Sequence, residues 1–291
     1  MKISSVFSKP LITVAFTLLT LSCGSDEKTG SLTISLIDDP IDTAKSVKVE
    51  ITSIEVRGNG APRELTINKD LEQPVDLLKL ENGFFATIVD GNDNSNQLSA
   101  GSYSNVKIGI ASASLTFTDD PNEVPTPATV PPDKFNISGP FTISEGSIKE
   151  IILVFNVHNA LHMTGNGKYI LNPSLKIIEK SVSGWITGSV LPIPSKTGID
   201  PQLKVKVTAN QGTENEAATF ASQDGTFELN PLREGTHSIR VEWITMQDTN
   251  ADGVQEIIDC KREDLGDFVV LAEQATDTGT VELTTGAASC L

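Results

Sequence analysis

Between positions 248 and 259 the chain reads Asp248-Thr-Asn250-Ala-Asp252-Gly253-Val254-Gln-Glu256-Ile-Ile-Asp259. Hard oxygen donors fall at the first, third and fifth places, a glycine at the sixth permits a sharp turn, and a carboxylate closes the stretch at the twelfth. This is the donor spacing of a Ca²⁺ loop. Asp248, Asn250, Asp252 and Asp259 would supply side-chain oxygens, and Val254 its backbone carbonyl. No Lys or Arg interrupts the stretch, so its acids converge without internal compensation. The implied cofactor is a structural Ca²⁺ held with the weak affinity of extracellular modules, on the order of 10⁻⁴–10⁻³ M. The same residues also read as a plain acidic hairpin tip, because Asp252-Gly253 is a strong two-residue turn between strand-like flanks.

The three cysteines carry different chemistry. Cys23 follows Lys2, Lys9 and an apolar run of 11 residues from Leu11 to Leu21. Such a run suits the apolar core of an export signal and is too short to span a bilayer. Ser22-Cys23-Gly24-Ser25 then resembles the bacterial lipoprotein signal, in which the cysteine is acylated and becomes the mature N-terminus. Thr20 stands where that signal usually has leucine, and an ordinary secretory signal is the alternative. Removing residues 1–22 leaves 269 residues and moves the net charge from −16 to −18. An acidic body is repelled by anionic headgroups, so lipid on Cys23 would be the membrane attachment. Cys260 and Cys290 then form an even pair in a disulfide-permissive compartment and would pin the C-terminus to the last domain; two free thiols are the alternative.

Much other chemistry is excluded. HExxH, GxSxG, GxxxxGK[ST] and CxxC are all missing from the sequence. Nucleic acid is an unexpected partner, since binding phosphates needs clustered Lys and Arg. With 5% aromatic residues, an aromatic glycan platform has few side chains to draw on. His158 and His162 are four apart but lack good ligands beside them, and His237 has no carboxylate or nucleophile nearby in sequence. A hydrolase is therefore the remotest reading.

The elements that would position these residues are strands. Leu32, Ile34 and Leu36 alternate with polar residues, as do Val47, Val49 and Ile51, then Val106, Ile108 and Ile110. Such alternation marks half-buried strands, while the continuous run from Ile151 to Phe155 marks a strand buried on both faces. Helical periodicity is confined to short turns near Leu77 to Leu80 and His158 to His162. Residues 119–132 carry five prolines and read as a stiff exposed loop. A break at Glu179-Lys-Ser-Val-Ser-Gly184 marks the domain boundary.

Two family resemblances follow from particular stretches. The first rests on Gly30-Ser-Leu-Thr-Ile-Ser-Leu-Ile-Asp-Asp-Pro40, Val47-Lys-Val-Glu-Ile-Thr-Ser-Ile-Glu-Val56, Val75-Asp-Leu-Leu-Lys-Leu80, Leu98-Ser-Ala-Gly-Ser-Tyr-Ser-Asn-Val-Lys-Ile-Gly-Ile110 and Gly167-Lys-Tyr-Ile-Leu-Asn-Pro173. Residues 30–179 thereby resemble domain-of-unknown-function family 4382, which implies a β-rich exported module without assigned activity. Asn156 and His158 stand where that family tends to show acids. The second rests on Gly184-Trp-Ile-Thr-Gly-Ser-Val190, Val205-Lys-Val207 and Ser222-Gln-Asp-Gly-Thr-Phe-Glu-Leu-Asn-Pro-Leu-Arg-Glu-Gly-Thr-His237. Residues 184–245 are similar to the carboxypeptidase regulatory-like (Cna-B-type, transthyretin-like) sandwich, which implies a stalk or spacer and no catalysis. His237 takes the place of that family's usual Tyr. The closing Asp259 resembles dockerin-type loops, whose shorter last reach weakens affinity.

The combined expectation is an all-β chain of two tandem antiparallel β-sandwich domains after an N-terminal lipoprotein signal segment. Its parts are a signal peptide (1–22), a flexible tether (23–30), a first sandwich (31–180) and a second sandwich (184–291). The expected protein is non-enzymatic, exported and lipid-anchored in the cell envelope, at the outer membrane, as a structural or interaction module. The second expectation is a surface adhesin or ligand-binding lipoprotein. It would recognise a protein or glycan through the loop from Asp90 to Asn96 and the Pro-rich 119–132 segment.

Overall fold

The computed structural model describes residues 28–290 apart from 40–43, 59, 118–122, 133–134, 173, 195–200, 248 and 250–255. The chain is all-β, with four sheets arranged as two sandwiches. In the first, one sheet runs in the order Leu175–Glu179, Ile148–Asn156, Thr29–Asp39, Ala86–Val89, with Gln97–Ser99 also on Thr29–Asp39. The facing sheet is built on the long antiparallel partners Ala44–Gly58 and Gly101–Phe117. Alternation puts Leu32, Ile34 and Leu36 inside with Val47, Val49, Ile54, Val106 and Ile108, all at most 1% exposed. Each such side chain contributes roughly 1.5–3 kcal/mol by leaving water.

The second sandwich pairs a three-stranded sheet with a five-stranded one. Thr226–Arg233, Ser183–Leu191 and Ala275–Glu282 form the first; Ala217–Phe220, Gln202–Ala209, Gly235–Gln247, Glu256–Val270 and Ala288–Ser289 form the second. Trp243, Val205, Val207, Val241 and Ile186 fill its interior. The ladders are mainly antiparallel, with three parallel pairs among the described residues. Thr29–Asp39 runs parallel to Ile148–Asn156, Tyr169–Leu171 to Thr126–Thr129, and Ser183–Leu191 to Ala275–Glu282.

Strand Ile148–Asn156 is buried on both faces for a specific reason. Ile151, Leu153 and Phe155 enter the main core, while Ile152 and Val154 form a separate apolar patch with Ile37 and Ile178 on the outer side of the sheet. That outer side faces the second sandwich, since Thr29–Asp39 touches Ala217–Phe220. A single 3₁₀ turn, Lys180–Val182, separates the last strand of one sandwich from the first strand of the next.

The Pro-rich segment departs from expectation. Thr126–Thr129 is a strand, with Ser114 opposite Pro127 and Ala113 opposite Ala128. Ala128 is buried, and the parallel pairing with Tyr169 begins there, one residue past Pro127. Proline is thus accommodated where only one neighbour needs the ladder.

Candidate functional site at the junction of the two sandwiches

Each sandwich caps an edge strand of the other. Thr226–Arg233 has a ladder on one side only. Across the junction, Asn82 Oδ1 accepts the backbone N–H of Glu228, and Asn82 Nδ2 donates to Ser222 Oγ at 2.6 Å. Asn82 sits in the left-handed region (φ 54°), which its short amide side chain tolerates. Gly83 follows at φ 82°, and a Cβ there would come 2.5 Å from Glu228 Oε1. The chain must turn in this way for the amide to reach the edge.

In return, the second sandwich caps the first. Leu175–Glu179 is an outermost strand, and Arg233 Nη2 donates to the Ile177 carbonyl at 2.8 Å. Lys176 Nζ of the same strand reaches across to the Glu214 carbonyl, while Glu234 N–H donates to the Val182 carbonyl at 2.9 Å and prolongs the ladder that pairs Ser183 with Arg233. Unpaired edge groups invite other strands, so the Asn82 and Arg233 bonds close two positions where further chains could add.

A cleft of about 840 Å³ lies along this junction, lined by Val154, Lys176, Asn210, Glu216, Arg233 and His237 among others. His237 is 7% exposed. The Arg233 carbonyl, 2.7 Å from its Nε2, can only accept, so Nε2 carries the hydrogen. Nδ1 then accepts from Asn210 Nδ2 at 2.7 Å. Both ring nitrogens are therefore engaged. Glu216 Oε2 accepts from Gly212 N–H at 2.6 Å, which folds the 210–217 loop against the cleft. His237, Arg233 and Glu216 are thus used in holding the cleft together.

The residues expected from sequence are placed as follows. Cys23, Asp248, Asn250, Asp252 and Val254 lie outside the described residues. Asp259 is exposed on strand Glu256–Val270, with Oδ1 3.5 Å from Lys261 Nζ. Glu256 Oε2 accepts from Thr249 N–H and Oγ1 at 2.9 and 3.0 Å, so that carboxylate ties the hairpin ends together. Among the described residues no group of three or more His, Cys, Asp or Glu is placed to hold a metal. Cys260 and Cys290 are joined, with Cα atoms 5.3 Å apart across a separation of 30 residues. Closing a loop of that size contributes about 3–4 kcal/mol in the chain-entropy view. Helix Val157–Ala160 ends before His162, which stands on strand Leu161–Met163, so the two histidines share no helix face.

The loop from Asp90 to Asn96 is pinned from within. Asn96 is 1% exposed; its Oδ1 accepts from Thr66 N–H at 2.7 Å, and its Nδ2 donates to the carbonyls of Thr66 and Asp90. Asp93 Oδ1 accepts from Ser95 N–H at 2.9 Å, and this bond holds its carboxyl below the usual carboxylate range. The Asp90–Asn96 loop is thus a rigid feature of the surface.

Asn82 and Arg233 carry the junction, and sequence reasoning did not single them out. The signal for the first was present: Asn82-Gly83 is the dipeptide most suited to positive φ. Nothing in the local sequence marks Arg233, because its acceptor is a backbone carbonyl 56 residues away.

Residues 29–173 match the family described as "Domain of unknown function (DUF4382)". No curated protein matches the chain. Among solved structures, the chain is similar to the Bacillus anthracis TIE protein at 13% identity, over 89% of this chain and 51% of that one, with a TM-score of 0.21. It is also similar to BcpA, the major pilin subunit of Bacillus cereus, at 13% identity over 89% and 71% of the two chains, with a TM-score of 0.21. The chain spans about half the length of the first of these.

Proposed function

We propose that the protein is a non-enzymatic, exported envelope module, tethered by lipid on Cys23, whose two sandwiches act as one stiff body. One observation carries this reading. In the junction cleft, His237 lies between Asn210 and the Arg233 carbonyl while Arg233 itself holds Ile177, so the imidazole and the guanidinium serve the architecture. A general base must reach a substrate proton, and this imidazole already has both nitrogens in hydrogen bonds. The second sandwich reads as a Cna-B-type spacer fused to the first. Lipid attachment is tested by metabolic labelling with a fatty acid, comparing wild type with Cys23→Ala. Label retained by the variant would overturn the anchor.

A surface-binding role is the second reading. Phe84 and Phe85 are 68% and 37% exposed beside the Asn82 turn. Adjacent exposed aromatics are unusual on an acidic surface and suit contact with a protein or glycan. Pull-down from envelope extract with wild type and with Phe84→Ser/Phe85→Ser tests it. A partner held equally by both forms would remove these side chains from the reading.

A further inference from the structure

A third edge strand is guarded in a different way. Glu256–Val270 pairs with Gly235–Gln247 along its length, while on its other side, among the described residues, the strand ladder is confined to Lys261 opposite Ser289 and Arg262 opposite Ala288. Those partners belong to a strap, residues 283–290, that leaves the three-stranded sheet after Ala275–Glu282 and crosses to the five-stranded one. Leu283 N–H donates to the Leu191 carbonyl at 2.8 Å at its start, and Cys290 N–H to the Cys260 carbonyl at 3.2 Å at its end. In between, Glu263 Oε1 accepts from Thr284 N–H at 3.1 Å and from Thr284 Oγ1. Beneath the strap end, Ile244, Met246 and Cys260 form a small apolar cluster on the outer face of the sheet, with Cys290 packed against it.

A two-residue strand with two ladder positions is too short to hold itself in place. The covalent bond between Cys260 and Cys290 is the element that keeps it there. We propose that the C-terminal strap is a redox-sensitive latch: closed by the disulfide, it covers the edge at residues 260–263 and the Ile244–Met246 patch, and opened by reduction it uncovers both while the rest of the sandwich stays folded. The asparagine and arginine caps at the junction have no such chemical release, so this edge alone among the three is conditional.

The opening reaction balances with a dithiol as reductant. Cys260 is 6% exposed and Cys290 is more open, so a dithiol thiolate attacks Cys290 Sγ and Cys260 leaves as a thiolate. The second thiol of the reductant then attacks its own sulfur in the mixed disulfide, closing a cyclic disulfide and releasing Cys290. Two electrons pass to the two protein sulfurs. The two thiol protons end on them or on solvent. In an oxidising compartment the reverse reaction closes the strap.

Hydrogen exchange on the folded 24–291 protein, with and without dithiothreitol, tests the latch. The expected result is exchange at least tenfold faster at the amides of Arg262 and 288–290 after reduction, with the amides of Gln202–Ala209 unchanged. Binding of an apolar dye should rise in parallel. Cys290→Ala should reproduce the reduced pattern without reductant, and Glu263→Gln should add to it by loosening Thr284. Unchanged protection at 288–290 after reduction would show that the strap holds without its bond. Loss of protection across Gln202–Ala209 as well would make the disulfide a staple of the whole fold. Either result overturns the latch.

Discussion

Asn82 of the first sandwich and Glu228 of the second meet through one hydrogen bond, from the Glu228 backbone N–H to Asn82 Oδ1. The bond does for the edge strand Thr226–Arg233 what another strand would do. Its counterpart is Arg233, from that same strand, on the Ile177 carbonyl. Two side chains thus make the sandwiches interdependent, and the apolar patch of Ile37, Ile152, Val154 and Ile178 gives the contact its hydrophobic part.

Asn82→Gly keeps the left-handed backbone and removes both amide bonds. The expected loss is roughly 1–2 kcal/mol. Asn82→Ala should cost about 1 kcal/mol more, since alanine must also adopt positive φ. Urea denaturation of the two variants checks the order; equal losses would mean that the turn carries no backbone constraint.

Arg233→Met keeps the apolar stem and removes the guanidinium. Stability should fall by about 1.5–3 kcal/mol, the range for a hydrogen bond to a charged donor. The unfolding transition of wild type should be single and seen alike by tryptophan fluorescence (both Trp185 and Trp243 lie in the second sandwich) and by the two tyrosines, Tyr103 and Tyr169, of the first. Two separated transitions in the wild type would show that the junction does not couple the bodies.

Ile152 and Glu150 share the outer face of one strand but not one environment. Ile152 is 4% exposed, while Glu150 is exposed and pairs with Lys180 at 3.1 Å. Ile152→Ala should cost roughly 2–5 kcal/mol, and Glu150→Ala no more than about 0.5 kcal/mol. A similar small cost at both positions would mean that the second sandwich does not seal this face.

Asp224 tests the acid side of stability. Its Oδ1 accepts from Thr226 Oγ1 at 2.7 Å and from Thr226 N–H at 2.9 Å, and these bonds, the hydroxyl first, hold its carboxyl below the usual range. A carboxyl lowered in the folded state contributes stability above its ordinary pKa and loses it as pH falls through the folded value. In Thr226→Val the carboxyl midpoint, followed by NMR, should rise yet stay below the ordinary value, because the backbone donor remains.

Calcium is tested by melting. If the 248–259 loop binds the ion with a constant near 10⁻⁴ M, a tenfold excess stabilises by about 1.4 kcal/mol. Tm should rise in millimolar Ca²⁺ for wild type and not for Asp248→Asn/Asp252→Asn. A flat response in wild type leaves the stretch as an acidic hairpin tip.

Period-two patterning was enough to predict the main core strands, though not Thr126–Thr129 or Leu161–Met163, because alternation records which face of a sheet meets water. Leu32, Ile34 and Leu36 carried that record, and the unbroken run from Ile151 to Phe155 already required a cover on both sides. The turn at Asp224-Gly225 and the 3₁₀ turn Leu77–Lys79 were equally local, set by residues adjacent in the chain. The same holds for the break at 179–184, which the connector Lys180–Val182 occupies. What covers the outer face of the first sheet was not local. Asn82 reaches Glu228 across 146 residues and Arg233 reaches Ile177 across 56. A backbone edge group has no side-chain signature, so its partner is decided only when tertiary packing brings a donor or acceptor to it. His237 shows the same division: its type was visible in the sequence, but only the fold could bring Asn210 and the Arg233 carbonyl to its two ring nitrogens.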